Sequence, residues 1–254
     1  MSAPPSKNIL IIMSDASSFP LYNTGSDGAT IDQPSGYFLM ELAKPLQTLL
    51  SAGYTPTFAS PLGSEPTPDP LSLSLAAFAG NYLEKQRELA LVDDMKRSHG
   101  FSRPRRFADI SDEELEGFAG VFIPGGHAPL RDLGDDEDLG RILRHFHGRG
   151  KPTAAICHGP WAFLSTKKGG DREFAYKGYR LTSWSDAEEK FMETVAFRGE
   201  VDKVESALRE EGAEMVEGVG TSLGSITVDR EVVSAANPMG ADALGKKFVE
   251  MLGA

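Results

Sequence analysis

The sequence predicts an α/β protein with a mostly parallel, doubly wound sheet and helices on both of its faces. Three observations support this fold class. Short apolar runs of strand length recur along the 254-residue chain, amphipathic segments of helix length separate them, and the first unit has the order strand, helix, strand. The length fits one large domain, so we expect a single domain over residues 1–254, with residues 60–108 as an insertion or cap within it.

The first unit begins with residues 8–14, an apolar run with polar ends that is typical of a buried parallel strand. Residues 15–36 are rich in Gly, Ser, Asp and Pro and are predicted to form a long loop. Leucines at helical spacing predict a helix over residues 37–52, capped by Gly53, and residues 54–59 are predicted to be the second strand. Prolines then break this rhythm, and the insertion is expected to hold helices near 73–78 and 83–96.

The core is expected to resume after residue 108 and to keep alternating between strands and helices. The predicted strands are residues 120–124, 153–156, 179–183, 225–229 and 231–236. The predicted helical segments are residues 137–146, 161–165, 201–211 and 241–252. The last two strands should pair with each other, because Asp229 and Arg230 between them suit a tight turn.

Composition limits the partners that we expect. The 37 acidic and 26 basic residues give a net charge of −11, which argues against a general nucleic-acid binder and against an anionic membrane surface. The apolar run near the start is too short to be a membrane span or a signal sequence. Cys157 is the one cysteine, so no intrachain disulfide can form. We therefore expect a cytoplasmic protein without nucleic-acid or membrane partners.

The segment Ala155-Ile156-Cys157-His158-Gly159 carries the strongest chemical signal. It lies between a predicted buried strand and a helical segment, with small residues two positions before and after the cysteine, as in a nucleophile elbow. A thiol at a helix N-terminus is expected to have a lowered pKa, and His158 supplies a base or a backbone N–H. The alternative is that Cys157 is a small core residue at a strand end.

Two further segments point to the same edge of the sheet. Gly125 and Gly126 end a predicted parallel strand, where their amides would suit an oxyanion hole, and His127 is either a ligand contact or a turn-capping side chain. Glu41 stands among apolar residues of the first helix, where its pKa would be raised. Local sequence alone also fits Glu41 as a helix-dipole partner or as the partner of Lys44.

Together these segments resemble the DJ-1/PfpI superfamily, which has a class I glutamine-amidotransferase-like, flavodoxin-type fold. The resemblance rests on Gly36 and Glu41, on residues 123–127, on the Cys-His-Gly-Pro motif of residues 157–160, and on residues 232–246. It covers nearly the whole chain, with residues 60–108 matching least. Within the superfamily, the chain looks most like the heat-shock chaperone/glyoxalase III branch.

The resemblance implies a role for each residue. Cys157 would be the nucleophile, Glu41 would contact its sulfur and shuttle protons, and His158 would be the base of a Cys–His–acid triad. Glu189 takes the acid position along the motif, with Asp186 and Glu188 as neighbouring alternatives. Backbone amides of Gly126 and His158 would stabilise an oxyanion, and a homodimer is expected.

The implied activity is a glutathione-independent glyoxalase that converts 2-oxoaldehydes such as methylglyoxal to 2-hydroxy acids through a hemithioacetal on cysteine. No cofactor is expected. The branch's metal site would fall on Leu50 and Thr55, which are poor ligands, so no metal is predicted either. The alternatives are a holdase chaperone, a cysteine-oxidation sensor, and a cysteine-dependent amidase, peptidase or hydratase of the same superfamily.

Overall fold

The computed structural model describes residues 6–24, 28–170, 172–216 and 223–253. The strands, in chain order, are β1 (Asn8–Ile12), β2 (Ser18–Thr24), β3 (Ala29–Pro34), β4 (Thr55–Ser60), β5 (Arg105–Arg106), β6 (Phe118–Ile123), β7 (Thr153–Ile156), β8 (Arg180–Leu181), β9 (Glu214–Met215), β10 (Ile226–Asp229) and β11 (Val232–Ala235). The α-helices are α1 (Leu39–Ser51), α2 (Tyr82–Ser98), α3 (Asp112–Glu116), α4 (Pro129–Asp132), α5 (Glu137–Gly148), α6 (Asp186–Met192), α7 (Val204–Glu210) and α8 (Ala241–Met251).

Within the described ranges, seven strands form the central sheet in the order β10-β11-β7-β6-β1-β4-β5. All neighbouring pairs are parallel except β10–β11, which is an antiparallel hairpin at one edge. In β1, Leu10 and Ile12 pack towards α5, whereas Ile9 and Ile11 pack towards α1 and α8. This alternation gives the sheet two buried faces, which confirms the predicted α/β fold with helices on both sides.

Shorter helical segments connect these elements. They comprise the 3₁₀ segments Pro70–Leu73, Ala76–Phe78, Phe107–Asp109, Gly159–Lys167 and Pro238–Gly240, and the π-helical segment Glu193–Phe197. None of the helices in the described ranges combines the length and hydropathy that a bilayer crossing needs.

Two sequence-based expectations differ from the structure. The loop predicted over residues 15–36 contains the antiparallel hairpin β2–β3, in which Phe19 and Leu21 are buried in the core. The strand predicted over residues 179–183 is only the short β8, and it pairs with β9 outside the central sheet. The loop-like composition of residues 15–36, with Pro20 between the two buried residues of β2, hides the hairpin from a reading of the sequence. The strand predicted over residues 179–183 is present but shorter than expected.

The segment 60–108 continues the layered fold. α2 packs against α1, and β5 extends the sheet by pairing with the end of β4. Pro70–Leu73 contacts α1, and Ala76–Phe78 contacts α2. The expectation that residues 60–108 are an insertion or cap stays a prediction.

Candidate active site

Cys157 occupies a tight turn at the carboxyl end of β7, in the middle of the sheet. Its φ angle is +61°, a left-handed conformation that non-glycine residues rarely adopt, so the backbone here is strained. The backbone holds this turn in place because the Cys157 N–H donates to Ala235 O at 2.9 Å and its carbonyl accepts from the Trp184 N–H at 2.9 Å. The thiol is buried, and the segment that begins at Gly159 follows directly, which is the elbow geometry expected from the sequence.

A buried histidine connects the thiol to a carboxylate. Nδ1 of His158 lies 3.2 Å from Cys157 Sγ, and its Nε2 lies 2.6 Å from Glu189 Oε2. An ionised carboxylate only accepts hydrogen bonds, so Nε2 carries the proton of the neutral ring and Nδ1 faces the thiol as an acceptor. Burial and the neighbouring His127 lower the pKa of His158 to about 4, so this ring is neutral at pH 7.

Glu189 is the acid that reaches His158, and its two alternatives point elsewhere. Burial alone would raise the pKa of Glu189, but the two histidines on its oxygens lower it below its usual value. Glu188 instead accepts from the Ser185 hydroxyl at 2.7 Å and from the Asn237 amide at 2.9 Å. Asp186 accepts from Ser206 on α7. The geometry therefore selects Glu189 among the three carboxylates.

His127 is the second imidazole on this carboxylate. Its Nε2 lies 3.2 Å from Glu189 Oε1, its ring stacks on Phe19 at 4.8 Å, and its centroid is 4.0 Å from that of His158. The sequence left open whether His127 contacts a ligand or caps a turn. Its side chain bonds a residue 62 positions away, which excludes a purely local turn cap, and it also lines the cavity beside Cys157, which fits the ligand-contact alternative.

Glu41 lies beside the sulfur, within the first turn of α1. The side chain is fully buried, and neither carboxyl oxygen makes a hydrogen bond of normal geometry to a described side chain or backbone group. Burial raises its pKa well above the usual value, and the neighbouring Cys157 side chain only partly opposes this rise. Lys44, the partner suggested by local sequence, pairs instead with Glu84 at 2.8 Å and Asp242 at 3.1 Å.

The expectation of a lowered thiol pKa is wrong for this structure. Burial and the negative charge of Glu41 raise the pKa of Cys157 well above its usual value, and the backbone N–H groups of Gly126 and His158 only partly oppose them. The sequence argument considered the helix terminus but not the buried carboxyl that packs on the sulfur. Thiol and carboxyl are therefore a coupled pair in which ionisation of one disfavours ionisation of the other.

The glycine pair permits this close packing. A Cβ on Gly125 would collide with Glu41 Oε2 and would lie 2.5 Å from Cys157 Cβ. Gly126 has a φ angle of +102° and packs against the carbonyl of Gly36, where a side chain has no space. The backbone N–H groups of Gly126 and His158 lie close enough to the sulfur to oppose the rise in the pKa of Cys157.

A cavity of about 590 Å³ opens above the thiol. The side chains already described, Glu41, His127, Cys157 and His158, form part of its wall, and Trp184 stacks on His158 within it. The segment 69–77 and the end of α6 supply much of the rest. The cavity places a small molecule in reach of the thiol, the carboxyl and the imidazole together.

His127, His158 and Glu189 also have the spacing of metal ligands, with donor atoms within 4.8 Å of one another. Their hydrogen bonds explain this clustering without an ion, because each imidazole directs Nε2 to a different oxygen of Glu189. Leu50 and Thr55, at the positions of the branch's metal site, are a partly buried core residue and the first residue of β4. The sequence-based expectation that the chain needs no metal stays a prediction.

Residues 34–251 match the model of the DJ-1/PfpI family, and the chain belongs to this family. Among curated proteins, it is similar to the protein/nucleic acid deglycase HchA of Escherichia coli (strain UTI89 / UPEC), with 30% identity over 162 residues. That alignment covers 61% of this chain and 54% of the relative, so the match spans about half the relative's length.

Solved structures show the same fold over nearly the whole chain. Glyoxalase III from Candida albicans is 20% identical, with a TM-score of 0.72 and 96% of each chain covered. The Rapid Encystment Protein of Francisella tularensis is also 20% identical, with a TM-score of 0.74 and coverage of 97% of this chain and 99% of that one. At this level of identity, the likeness establishes the fold alone.

Proposed function

We propose that the chain is a glutathione-independent glyoxalase that converts 2-oxoaldehydes such as methylglyoxal to 2-hydroxy acids. One observation carries the proposal: a thiol in an elbow lies between a protonatable buried carboxyl, Glu41, and a neutral imidazole held by Glu189. Nucleophile, base and proton carrier therefore surround one cavity.

The first step forms a carbon–sulfur bond. Cys157 Sγ attacks the aldehyde carbon while its proton passes to Nδ1 of His158, 3.2 Å away. Glu189 stabilises the imidazolium that forms, since its carboxylate accepts from Nε2. The N–H groups of Gly126 and His158 stabilise the developing oxyanion, which takes the proton back from the His158 imidazolium to give the hemithioacetal and a neutral ring.

The second step moves a proton between neighbouring carbons. Ionised Glu41 removes the proton from the former aldehyde carbon, giving an enediolate, and returns it to the adjacent carbon. The hydroxyl proton on the former aldehyde carbon moves to the oxygen of the adjacent carbon, which gives a 2-hydroxy thioester. Burial raises the pKa of Glu41, which makes its carboxylate a stronger base than that of an exposed glutamate. Water then cleaves the thioester, releases the 2-hydroxy acid and regenerates the thiol.

Methylglyoxal consumption without glutathione, followed together with lactate formation, tests the proposal. Wild-type protein should give one lactate for each methylglyoxal consumed. Consumption without lactate would instead indicate simple adduct formation. A protein without turnover whose Cys157 still reacts with iodoacetamide would contradict the glyoxalase proposal and leave the amidase, peptidase, hydratase and sensor alternatives.

A deglycase is the second candidate, favoured by the name of the curated relatives. The same thiol could attack the carbonyl-derived carbon of a methylglyoxal adduct and release the amine or thiol that holds it. Lactate formation should then increase with adduct concentration while free methylglyoxal is held constant. A rate that depends only on free methylglyoxal would favour the glyoxalase.

A further inference from the structure

The cavity above Cys157 is larger than methylglyoxal requires. Its volume of about 590 Å³ lies within the range of roughly 300–1,000 Å³ that is usual for pockets enclosing drug-sized ligands. A methyl group would leave most of this space filled by water. This feature bears on the substituent of the substrate, and the inference from it rests on the proposed glyoxalase function.

Apart from Asp69 and Ser74, the part of the cavity wall away from the reacting groups is apolar. Leu71 and Ala77 contribute from the segment 69–77, and Phe191 and Met192 contribute from the end of α6. Two of these side chains are exposed around the mouth, Leu71 at 44% and Phe191 at 63%. An apolar substituent would cover them, and burying such surface favours binding.

The charges in the wall have one sign. Asp69 is 2% exposed and is held by the Ser35 hydroxyl at 2.7 Å and the Leu71 N–H at 2.8 Å, so its carboxylate cannot turn away. Glu41 is the second acid. Among the described residues that line this cavity there is no lysine or arginine. A carboxylate or phosphate on the substrate would find no cationic side chain in the cavity wall and would face the Asp69 carboxylate, which disfavours its binding.

We propose that this site selects 2-oxoaldehydes with a bulky, neutral, apolar substituent, such as an aryl group, and rejects those with an anionic substituent. The overall reaction adds one water to R–CO–CHO and gives R–CHOH–COOH, as for methylglyoxal. Specificity then comes from the segment 69–77 and the end of α6, whereas the reacting groups come from α1, β7 and the start of α6.

Three probes test the preference. Phenylglyoxal should have a kcat/KM about tenfold above that of methylglyoxal, since added apolar contact in a pocket gives effects of this size. The carboxylate of 4-carboxyphenylglyoxal should lower kcat/KM about tenfold relative to phenylglyoxal. Equal kcat/KM values for phenylglyoxal and 4-carboxyphenylglyoxal, or a higher kcat/KM for methylglyoxal than for phenylglyoxal, would overturn the inference.

A binding measurement separates this inference from the proposed reaction. Acetophenone and 4-acetylbenzoate have the shapes of the aryl probes but lack the aldehyde. Acetophenone should slow alkylation of Cys157 by iodoacetamide, and 4-acetylbenzoate should not at the same concentration. This outcome would support the pocket preference even in a protein that turned over no 2-oxoaldehyde, and equal protection by both would overturn it.

A charge introduced at the mouth gives the sharpest contrast. Leu71→Arg places a cation on the wall at an exposed position and should raise kcat/KM for 4-carboxyphenylglyoxal relative to phenylglyoxal by about tenfold. Leu75→Arg is the matched control, because Leu75 is 47% exposed in the same segment but does not line the cavity. An equal change in both variants would show a general charge effect and contradict the proposed wall.

Discussion

His158 Nε2 lies 2.6 Å from Glu189 Oε2, and this contact determines which nitrogen of the imidazole faces the Cys157 thiol. With Nε2 donating, Nδ1 is the acceptor that receives the thiol proton. His127 holds the other oxygen of the same carboxylate, so Glu189 cannot rotate without losing a second hydrogen bond. The orientation of the base therefore depends on a residue 31 positions further along the chain.

Glu189→Gln should lower kcat/KM for methylglyoxal about 100-fold, because the amide does not stabilise the imidazolium that forms when His158 takes the thiol proton. Steady-state kinetics on folded protein measure the effect. Glu188→Gln is the matched control, since Glu188 bonds Ser185 and Asn237 rather than His158. Activity lost in Glu188→Gln and retained in Glu189→Gln would contradict the assignment of the acid.

Glu41→Gln should move the pH profile of Cys157 alkylation to lower pH by about one unit, because the ionised carboxylate raises the pKa of the thiol. Rates of alkylation by iodoacetamide, measured across a range of pH, give the pH at which half of the Cys157 thiol is ionised. Glu84→Gln removes an acid that pairs with Lys44 on the outer side of α1 and should leave the profile in place. If this pH is unchanged or higher in Glu41→Gln, the Cys157 thiol and the Glu41 carboxyl are not coupled as described.

Gly125→Ala should abolish turnover, since the added Cβ would collide with Glu41 Oε2 and lie 2.5 Å from Cys157 Cβ. The reacting groups would have to separate. Gly148→Ala provides the comparison, because no atom lies within 4 Å of a Cβ there and the residue ends α5. That change should keep activity and stabilise the protein by about 0.5–1 kcal/mol. Equal activity in the two alanine variants would refute the packing argument.

Glu88→Gln should stabilise the protein at pH 8 but not at pH 4.5. Glu88 is 7% exposed with neither oxygen hydrogen-bonded to a described group, and burial raises its pKa to about 7. Below pH 4.5, the ordinary pKa that Glu88 has in the unfolded chain, its carboxyl is protonated in both the folded and the unfolded state. As pH rises towards 7, the unfolded state ionises first and stability falls. Denaturant unfolding should show a gain of about 1–2 kcal/mol at pH 8, and an equal effect at both pH values would contradict it.

Much of the fold follows from local patterns in the sequence. The buried runs of β1 and β7 and the amphipathic helix α5 are recognisable because their apolar residues recur with the period of their structure. The hairpin β2–β3 gives a weak local signal, since its buried residues Phe19 and Leu21 are separated by a proline within a segment of loop-like composition. The pairing of β8 with β9 joins residues more than 30 positions apart and leaves little local signal.

The candidate site also has some features that local sequence predicts and others that depend on tertiary contacts. The elbow at Cys157 and the glycine pair are local features, and the sequence predicts them. The partner of His158 comes from a different element, so local sequence could not separate Glu189 from Glu188, and the resemblance to the superfamily selected it. The direction of the Cys157 pKa depends on burial beside Glu41, which only the folded structure shows.

Lactate formation from methylglyoxal without glutathione, compared among wild type, Cys157→Ala and Glu41→Gln, tests the central claim most directly. The account predicts turnover by wild type and its loss in both variants, because one removes the nucleophile and the other the proton carrier. Turnover that persists in Cys157→Ala, or equal rates in wild type and Glu41→Gln, would contradict the claim that this thiol and this carboxyl act together.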